Sequence, residues 1–288
     1  MAPDTLISGV RRRLQLPRYT AEELVELVTD DGVRLSAARL DGPPTARLGV
    51  VLVHGLALSS RTARIHAFAR RLAERVSVLV PDLRGHGSSD GLCTLTVEEA
   101  RDVDAAVAAM PPGLPVVTIG ISLGGAAVLL HAGSWRARQE GRHLLGAVAM
   151  SAPGWPAWDT PTTSRIRRWV ENPAGRALMA RALRTRVADA CEPVCDAAEV
   201  VAAIRPSFTL VVHDPADHFF GEEHAQTIYR WANEPRDLWL LPGAGHGGNL
   251  LEAALADRIL DHAEAHLDAM GEAPVDFAHQ RSSMLKCP

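Results

Sequence analysis

Residues 116–124 read Val-Val-Thr-Ile-Gly-Ile-Ser-Leu-Gly and join a continuous apolar run to a segment with helical periodicity. An unbroken apolar run of this length is typical of a strand that is buried on both faces of a parallel sheet. Only small flanking residues let the chain turn from strand to helix at one residue, and Gly120 and Gly124 provide them. We therefore expect a sharp bend that exposes the hydroxyl of Ser122 at the N-terminus of a helix, where unpaired amides favour an anion.

Apolar runs and helical segments alternate on both sides of this bend. Near the start, Glu22–Thr29 and Val33–Leu40 alternate as strands around Asp30-Asp31-Gly32, which predicts a β-hairpin. Further apolar runs lie at 49–53, 76–80, 145–150, 208–212 and 238–241, and helical periodicity lies at 62–75, 97–110, 123–132, 222–232 and 250–267. This order predicts an α/β fold with a doubly wound, mostly parallel eight-stranded sheet and helices on both faces.

One long interval breaks the alternation. From Gly154 to about Arg205 no strand run occurs, and prolines divide the sequence into short helical pieces. Because this interval is too long for an ordinary loop, we predict a helical lid. The predicted divisions are an N-terminal segment at 1–20, an α/β core at 21–153 and 206–270, the lid at 154–205 and a loose C-terminal tail at 271–288.

The composition excludes several classes of protein. Of 288 residues, 47% are hydrophobic and 22% are charged, and this balance excludes an intrinsically disordered chain and a multispan membrane protein. The net charge of −4 argues against a nucleic-acid binder. No apolar run approaches the length of a membrane span, and the apolar stretch before Arg11 is too short for a secretory signal. We therefore predict a cytoplasmic protein.

The cysteines give no indication of a metal or a disulfide scaffold. Four cysteines are too few for such a scaffold. Cys191 and Cys195 are four positions apart, but no further cysteine or histidine lies nearby to complete a metal site. We expect neither a metal nor an organic cofactor.

A serine hydroxyl becomes a useful nucleophile only when a base takes its proton, so a histidine should follow Ser122. His246 lies in the glycine-rich stretch Pro242–Gly247, directly after the last strand run. The third member of such a catalytic triad is a carboxylate that orients the histidine, and it should lie after the preceding strand. Asp214 and Asp217 are the two candidates there. Asp217 is favoured because it lies further into the loop and is better placed to turn towards His246.

The order Ser122, Asp217, His246 resembles that of the α/β-hydrolase superfamily, and the resemblance covers almost the whole chain. The stretch Val53-His54-Gly55-Leu56 is similar to the family's oxyanion loop, and residues 81–90 are similar to its structural Asp-x-Arg-Gly-x-Gly-x-Ser loop. The resemblance implies that the backbone amides of Leu56 and Leu123 form the oxyanion hole. The stretch 213–217 resembles the family's acid motif, with Asp214 in place of the usual glycine.

Other histidines receive lesser roles. His54 is expected to orient the oxyanion loop, and His86 is expected to be structural. His213 is expected to be a satisfied histidine at a strand end. His218 is disfavoured as the base, since the glycine-rich final loop surrounds His246 and not His218.

Aromatic residues suggest where a substrate binds. The predicted lid contains Trp155, Trp158 and Trp169, and Phe219 and Phe220 follow the predicted acid. These five residues either line an apolar substrate pocket or serve as ordinary packing between lid and core. Both interpretations stay open.

The predicted lid is also basic. Residues 154–190 contain seven arginines and three acidic residues, a local balance of +4 in a chain of net charge −4. A solvated helix face explains such a cluster. The alternative is an anion site for a substrate carboxylate, for the phosphopantetheine arm of an acyl-CoA, or for an acidic carrier protein.

The sequence thus predicts a serine hydrolase that cleaves a small-molecule carboxylic ester or thioester through an acyl-enzyme on Ser122. One alternative is a thioesterase, cyclase or acyltransferase of secondary metabolism, and another is carbon–carbon bond cleavage or lyase chemistry on the same fold. A non-enzymatic binding protein is disfavoured because the triad is intact. Dehalogenases and epoxide hydrolases are disfavoured, since that resemblance calls for aspartate where Ser122 stands.

Overall fold

The computed structural model describes residues 23–95, 98–139, 143–155, 158, 160–189 and 196–272. Within them, one sheet contains the strands β1 (Glu23–Val28), β2 (Arg34–Leu40), β3 (Gly49–Val53), β4 (Ser77–Pro81), β5 (Val116–Ile121), β6 (Leu144–Met150), β7 (Phe208–His213) and β8 (Arg236–Leu240). The predictions for residues 1–20, for Cys191 and Cys195, and for the tail beyond residue 272 lie outside this part of the chain.

The sheet has the strand order β1-β2-β4-β3-β5-β6-β7-β8. The first two strands form an antiparallel hairpin, and β2 also pairs antiparallel with β4. All other pairs are parallel. The predicted doubly wound, mostly parallel sheet is confirmed, and parallel pairing places the carboxyl ends of β3 to β8 along one edge.

Helices cover both faces of the sheet. They are α1 (Ala63–Ala73), α2 (Glu99–Ala108), α3 (Leu123–Gly133), α4 (Pro161–Glu171), α5 (Pro173–Leu183), α6 (Ala197–Val200), α7 (Glu222–Trp231) and α8 (Ala253–Glu272). Apolar residues of α1 and α8 share one buried cluster with the sheet, whereas α2, α3 and α7 pack on the opposite face. No helix among the described residues has the length and apolar character needed to cross a bilayer.

The last helix differs from its predicted bounds. It begins at Ala253 and not at Leu250, because a 3₁₀ turn at Gly247–Leu250 precedes it and Gly247 has a positive φ of 54°. It also continues to Glu272, two residues into the stretch that is predicted as a tail.

Residues 154–205, which we call the inserted segment, contain two capped helices. The Thr160 hydroxyl accepts a hydrogen bond from the Thr163 amide at 3.1 Å, with Pro161 at the first helical position. Asn172 similarly accepts from the Ala174 amide at 2.8 Å before α5. These caps bond backbone amides at the two helix starts, so the local sequence favours the beginning of α4 at Pro161 and of α5 at Pro173.

Residues 184–188 of the inserted segment, which follow α5, are joined to the core by backbone hydrogen bonds. The Arg186 amide donates to the Gly85 carbonyl at 2.7 Å, and the Cys93 amide donates to the Arg186 carbonyl at 2.8 Å. The Gly87 amide donates to the Arg184 carbonyl at 3.0 Å. A Cβ at Gly85 would overlap the Arg186 carbonyl oxygen, so this close approach requires glycine. We call this contact between 85–93 and 184–188 the seam.

A buried arginine organises the loop after β4. The Arg84 Nε donates to Asp102 of α2 at 2.9 Å, and its Nη1 donates to Asp31 of the hairpin turn at 2.9 Å. Burial acts to raise the pKa of Asp31, but the hydrogen bond and charge of Arg84 outweigh it and lower that pKa to about 2. The loop, the hairpin and α2 are therefore held together by one ionic group.

Candidate active site

Ser122 occupies the bend between β5 and α3 with a φ of 55° and a ψ of −117°. A residue other than glycine rarely adopts such a backbone, and it persists only where the surroundings enforce it. A Cβ at Gly120 would overlap the Gly124 carbonyl oxygen, and a Cβ at Gly124 would lie 2.5 Å from the Val53 carbonyl oxygen. The two glycines therefore permit the bend that the sequence predicts.

The structure brings Ser122, His246 and Asp217 together. The Oγ of Ser122 lies 3.0 Å from Nε2 of His246, and Nδ1 of His246 lies 2.7 Å from Oδ2 of Asp217. The three residues follow β5, β8 and β7 respectively, so all lie at the carboxyl edge of the sheet. With the proton on Nδ1, the imidazole donates to the carboxylate and its Nε2 is free to accept the serine proton.

Asp217 is held as an ionised acceptor. Its side chain is fully buried, and its Oδ1 accepts a hydrogen bond from the Phe219 amide at 2.8 Å. Burial acts to raise the pKa of Asp217, but the hydrogen bond and charge of His246 outweigh it and lower that pKa overall. The carboxylate is thus charged at neutral pH and faces His246.

Asp214, the competing candidate, does not contact His246. Its Oδ1 accepts from the Ala216 amide at 2.9 Å, and its Oδ2 accepts from the Gly245 amide. These backbone amides lower the pKa of Asp214. Asp214 therefore fixes the backbone immediately before His246, a positioning role that the sequence analysis did not assign.

Two further residues that hold His246 have no sequence motif. Ser151 follows β6 with a φ of 48°, and its hydroxyl accepts a hydrogen bond from the Gly247 amide at 3.1 Å. The ring of Phe219 stacks on the His246 ring at a centroid distance of 3.9 Å. Ser151 could have been identified from the sequence as a polar residue that directly follows a parallel strand. Its strand, β6, lies between β5 and β7, the strands that precede Ser122 and Asp217.

The predicted oxyanion residues lie beside the serine. A Cβ at Gly55 would lie 3.2 Å from the Ser122 Cβ, so the loop that contains Leu56 abuts the nucleophile. Leu123 is the first residue of α3, where backbone amides have no partner in the preceding turn. Both leucines line the same cavity as Ser122.

Two buried side chains fix the predicted oxyanion loop. Nδ1 of His54 donates to the Gly55 carbonyl at 2.9 Å, and Nε2 of His54 accepts from the Leu83 amide at 3.1 Å. Burial lowers the pKa of His54 to about 4, so the ring is neutral. Asp82 accepts from the Ser60 amide at 2.7 Å and ties the same loop to the loop after β4. The contacts of His54 and Asp82 thus hold residues 55 and 60 against the loop after β4, while the oxyanion role of this loop stays a prediction.

A cavity of about 1310 Å³ opens in front of Ser122. Its volume exceeds the range of about 300–1,000 Å³ that is common for small-molecule sites. The five aromatic residues that the sequence singles out all line it: Trp155, Trp158, Trp169, Phe219 and Phe220. Trp155 also stacks on the buried His224 at 3.8 Å, so it contributes to packing as well as to the cavity wall.

Of the histidines considered from the sequence, His246 is the one that hydrogen-bonds the serine hydroxyl in the described structure. His218 is exposed, and its ring contacts Phe219. His213 is buried at the end of β7, where its Nε2 donates to the Phe220 carbonyl at 3.0 Å. His86 is buried and packs edge-on against His54.

Comparisons with known proteins agree with this architecture. The model of the "Alpha/beta hydrolase family" matches residues 50–258. An esterase of Pyrococcus furiosus shares 19% identity at a TM-score of 0.63, covering 90% of this chain and 95% of its own. A thermophilic esterase of Thermogutta terrifontis shares 21% identity at 0.63, covering 85% and 99%. An esterase of Rhodococcus sp. shares 20% identity at 0.63, covering 84% and 98%.

No curated protein matches this chain significantly in sequence. At identities near 20%, the likeness to the solved esterases concerns the fold.

Proposed function

The chain belongs to the alpha/beta hydrolase family, and on that premise we propose that it is a serine hydrolase that cleaves a carboxylic ester or thioester. The observation that supports this most directly is the hydrogen-bonded series Ser122–His246–Asp217, with distances of 3.0 Å and 2.7 Å. The esterases among its structural neighbours agree with the broader assignment to hydrolases.

In the proposed reaction, Oγ of Ser122 attacks the substrate carbonyl while Nε2 of His246 takes the hydroxyl proton. Asp217 keeps the imidazole in the required tautomer and stabilises its positive charge. His246 then gives the proton to the leaving alkoxide or thiolate. A water molecule, activated by His246 in the same way, releases the acid and restores the serine.

The proposed oxyanion donors are the amides of Leu56 and Leu123. The carbonyl oxygen gains negative charge as the tetrahedral intermediate forms, and donors already in place stabilise that charge without reorganisation. One such donor is typically worth about 3–4 kcal/mol of barrier. His54, which is buried and makes hydrogen bonds through both ring nitrogens, would keep the Leu56 amide in position.

A fluorophosphonate probe tests the proposal. We expect it to label the protein at Ser122, located by mass mapping, and the Ser122→Ala variant to keep the fold but lose both labelling and hydrolysis of p-nitrophenyl esters from acetate to decanoate. Labelling at another residue, or full esterase activity in Ser122→Ala, would show that the proposal is wrong.

A second candidate is thioester hydrolysis or acyl transfer with an acyl-CoA or an acidic carrier protein. Arginines of the inserted segment that line the cavity favour it, namely Arg165, Arg181 and Arg184. This candidate predicts that turnover of a CoA or carrier thioester falls steeply with salt, because screening weakens charge attraction. A salt-independent rate would leave the ester hydrolase as the better assignment.

A further inference from the structure

Four arginines line the cavity in front of Ser122. Arg61 follows the oxyanion loop, Arg165 lies in α4, Arg181 lies in α5, and Arg184 ends α5 with a left-handed backbone. Among the described residues that line this cavity, no aspartate or glutamate occurs. This distribution is uneven, because the whole chain has 34 acidic residues against 30 basic ones.

These four arginines differ from others of the inserted segment. Arg167 pairs with Glu171 at 2.6 Å, and Arg176 pairs with Asp189 at 2.7 Å. By contrast, no carboxylate in the described part of the chain forms an ion pair with a cavity arginine: Arg61, Arg165, Arg181 and Arg184. The four guanidinium groups thus line the cavity without an ion-pair partner among the residues that the structure describes.

From this charge distribution we infer that the substrate has an anionic group, a carboxylate or a phosphate, in addition to the scissile ester or thioester. Guanidinium groups bind both anions through paired hydrogen bonds, and a cleft with apolar walls strengthens their field. The apolar part of the substrate would lie against the aromatic wall and the anionic group against the arginines. This inference rests on the proposed function.

Two matched substrate pairs test the inference and separate the two sources of the anion. The first pair is 4-nitrophenyl hydrogen adipate and 4-nitrophenyl hexanoate, which differ by a carboxylate at the end of a six-carbon acyl chain. The second pair is hexanoyl-CoA and the hexanoyl thioester of N-acetylcysteamine, which differ by the phosphates of the leaving group. The measured quantity is the ratio of kcat/KM within each pair.

We expect the anionic member of at least one pair to be preferred about tenfold at low salt, and the preference to shrink as ionic strength rises. The double variant Arg165→Gln/Arg181→Gln should bring the ratio towards one. Arg167→Gln is the matched control, because Arg167 belongs to the same helix but already pairs with Glu171, and it should keep the wild-type ratio.

Equal kcat/KM within both pairs, or an unchanged ratio in the double variant, would overturn the inference. Such a result with normal hydrolysis of the neutral esters leaves the proposed function intact. Failure of the proposed function has a different signature, since the probe would not label Ser122 and the neutral esters would not be cleaved either.

A separate cluster of side chains, near the amino-terminal end of β8, supports a second proposal. His262 and His266 lie one turn apart on α8, and Asp237 lies near the start of β8. Ligand atoms of the three side chains all lie within 4.8 Å of one another. Nε2 of His262 is buried, has no hydrogen-bond partner in the described structure and lies 3.7 Å from Asp237.

We propose that these three side chains bind a divalent transition metal such as Zn²⁺, for which two imidazoles and a carboxylate are suitable ligands. Phe208 stacks on His266 at 4.6 Å and contacts His262 edge-on at 5.0 Å, so both rings are already oriented. The ion would join the last helix to the edge strand, far from the serine. The charge of Arg258, which lies over Trp239, opposes metal binding, so the carboxylate is essential.

Calorimetric titration of chelator-treated protein with Zn²⁺, followed by thermal unfolding, tests this site. We expect stoichiometric binding and a rise in Tm of about 4 °C, both lost in His266→Ala and in Asp237→Asn. His218→Ala, which removes an exposed histidine, should keep both. Absence of binding in the wild type, or retention of binding in both ligand variants, would overturn the proposal.

Discussion

At the scale of single residues, two aspartates three positions apart have different surroundings. Asp217 accepts a hydrogen bond from the imidazole of His246, whereas Asp214 accepts hydrogen bonds from two backbone amides, one of them that of Gly245. Ser151 binds the amide of Gly247 on the other side. His246 is thus fixed through both of its neighbours, and its ring is oriented by a third group.

Asparagine substitutions should distinguish the roles of the two aspartates. Asp217→Asn should lower kcat by about 10³–10⁴-fold, because an amide cannot stabilise the imidazolium or enforce the tautomer. Asp214→Asn should reduce activity much less, since the amide oxygen can still accept from one of the two backbone amides. Steady-state kinetics with a p-nitrophenyl ester would measure both, and the reverse ranking would assign the acid to Asp214.

At the scale of elements, the inserted segment is attached to the core at its start and again directly after α5. The Gly154 amide donates to Nδ1 of the buried His224 at 3.1 Å, and the seam fixes residues 184–188 to the loop after β4. Side chains of the proposed oxyanion residues Leu56 and Leu123 pack against the cluster that includes Val170 and Met179. A lid at 154–205 stays a prediction.

Alanine substitutions at two glycines test how much the seam contributes to stability. Gly85 and Gly113 both have positive φ, 73° and 79°, but a Cβ at Gly85 would overlap backbone atoms whereas a Cβ at Gly113 would meet nothing within 4 Å. Gly113→Ala should cost about 1 kcal/mol of unfolding free energy from backbone strain alone. Gly85→Ala should cost about 2 kcal/mol more, because the seam must also separate.

Urea denaturation followed by circular dichroism would give both unfolding free energies. Gly85→Ala should also lower esterase activity, since the seam supports the helices beside the oxyanion residues. Equal losses of stability in the two variants would mean that the seam contributes little to the fold.

At the scale of the whole molecule, buried neutral histidines make stability depend on pH. Burial lowers the pKa of His54 to about 4 and that of His86 to about 3. The unfolded chain, whose histidines titrate near pH 6.5, therefore binds more protons than the folded chain below that pH. Stability is fully present above about pH 7 and falls as the pH drops through 6.5 towards 4.

The free energy of unfolding should therefore decrease by about 2 kcal/mol for each of these two histidines between about pH 7.5 and pH 5. Removing one of them in His86→Gln should reduce the pH dependence by about that amount, measured by urea denaturation at the two pH values. His218→Gln, at an exposed position, should behave as the wild type. A His86→Gln variant with wild-type pH dependence would contradict this account.

The sequence predicts the sheet, its helices and the residues around the serine because these depend on local patterns. Apolar runs, glycines at the bend and the glycine-rich loop before His246 each identify an element or a turn without reference to the rest of the chain. The seam, the contact of Ser151 with Gly247 and the role of Asp214 depend on residues far apart in sequence. No period or motif marks such contacts, so they emerge only from the folded structure.

The distance along the chain between the reacting groups has a consequence for how the protein is made. Ser122 and His246 are 124 positions apart, and they meet only after β8 has paired with β7 at the edge of the sheet. A chain that is still being synthesised, or one that has folded only its first five strands, can therefore form the backbone bend at Ser122 but does not yet have His246 beside the serine hydroxyl. We therefore expect the return of hydrolysis during refolding to require the pairing of β8 with β7.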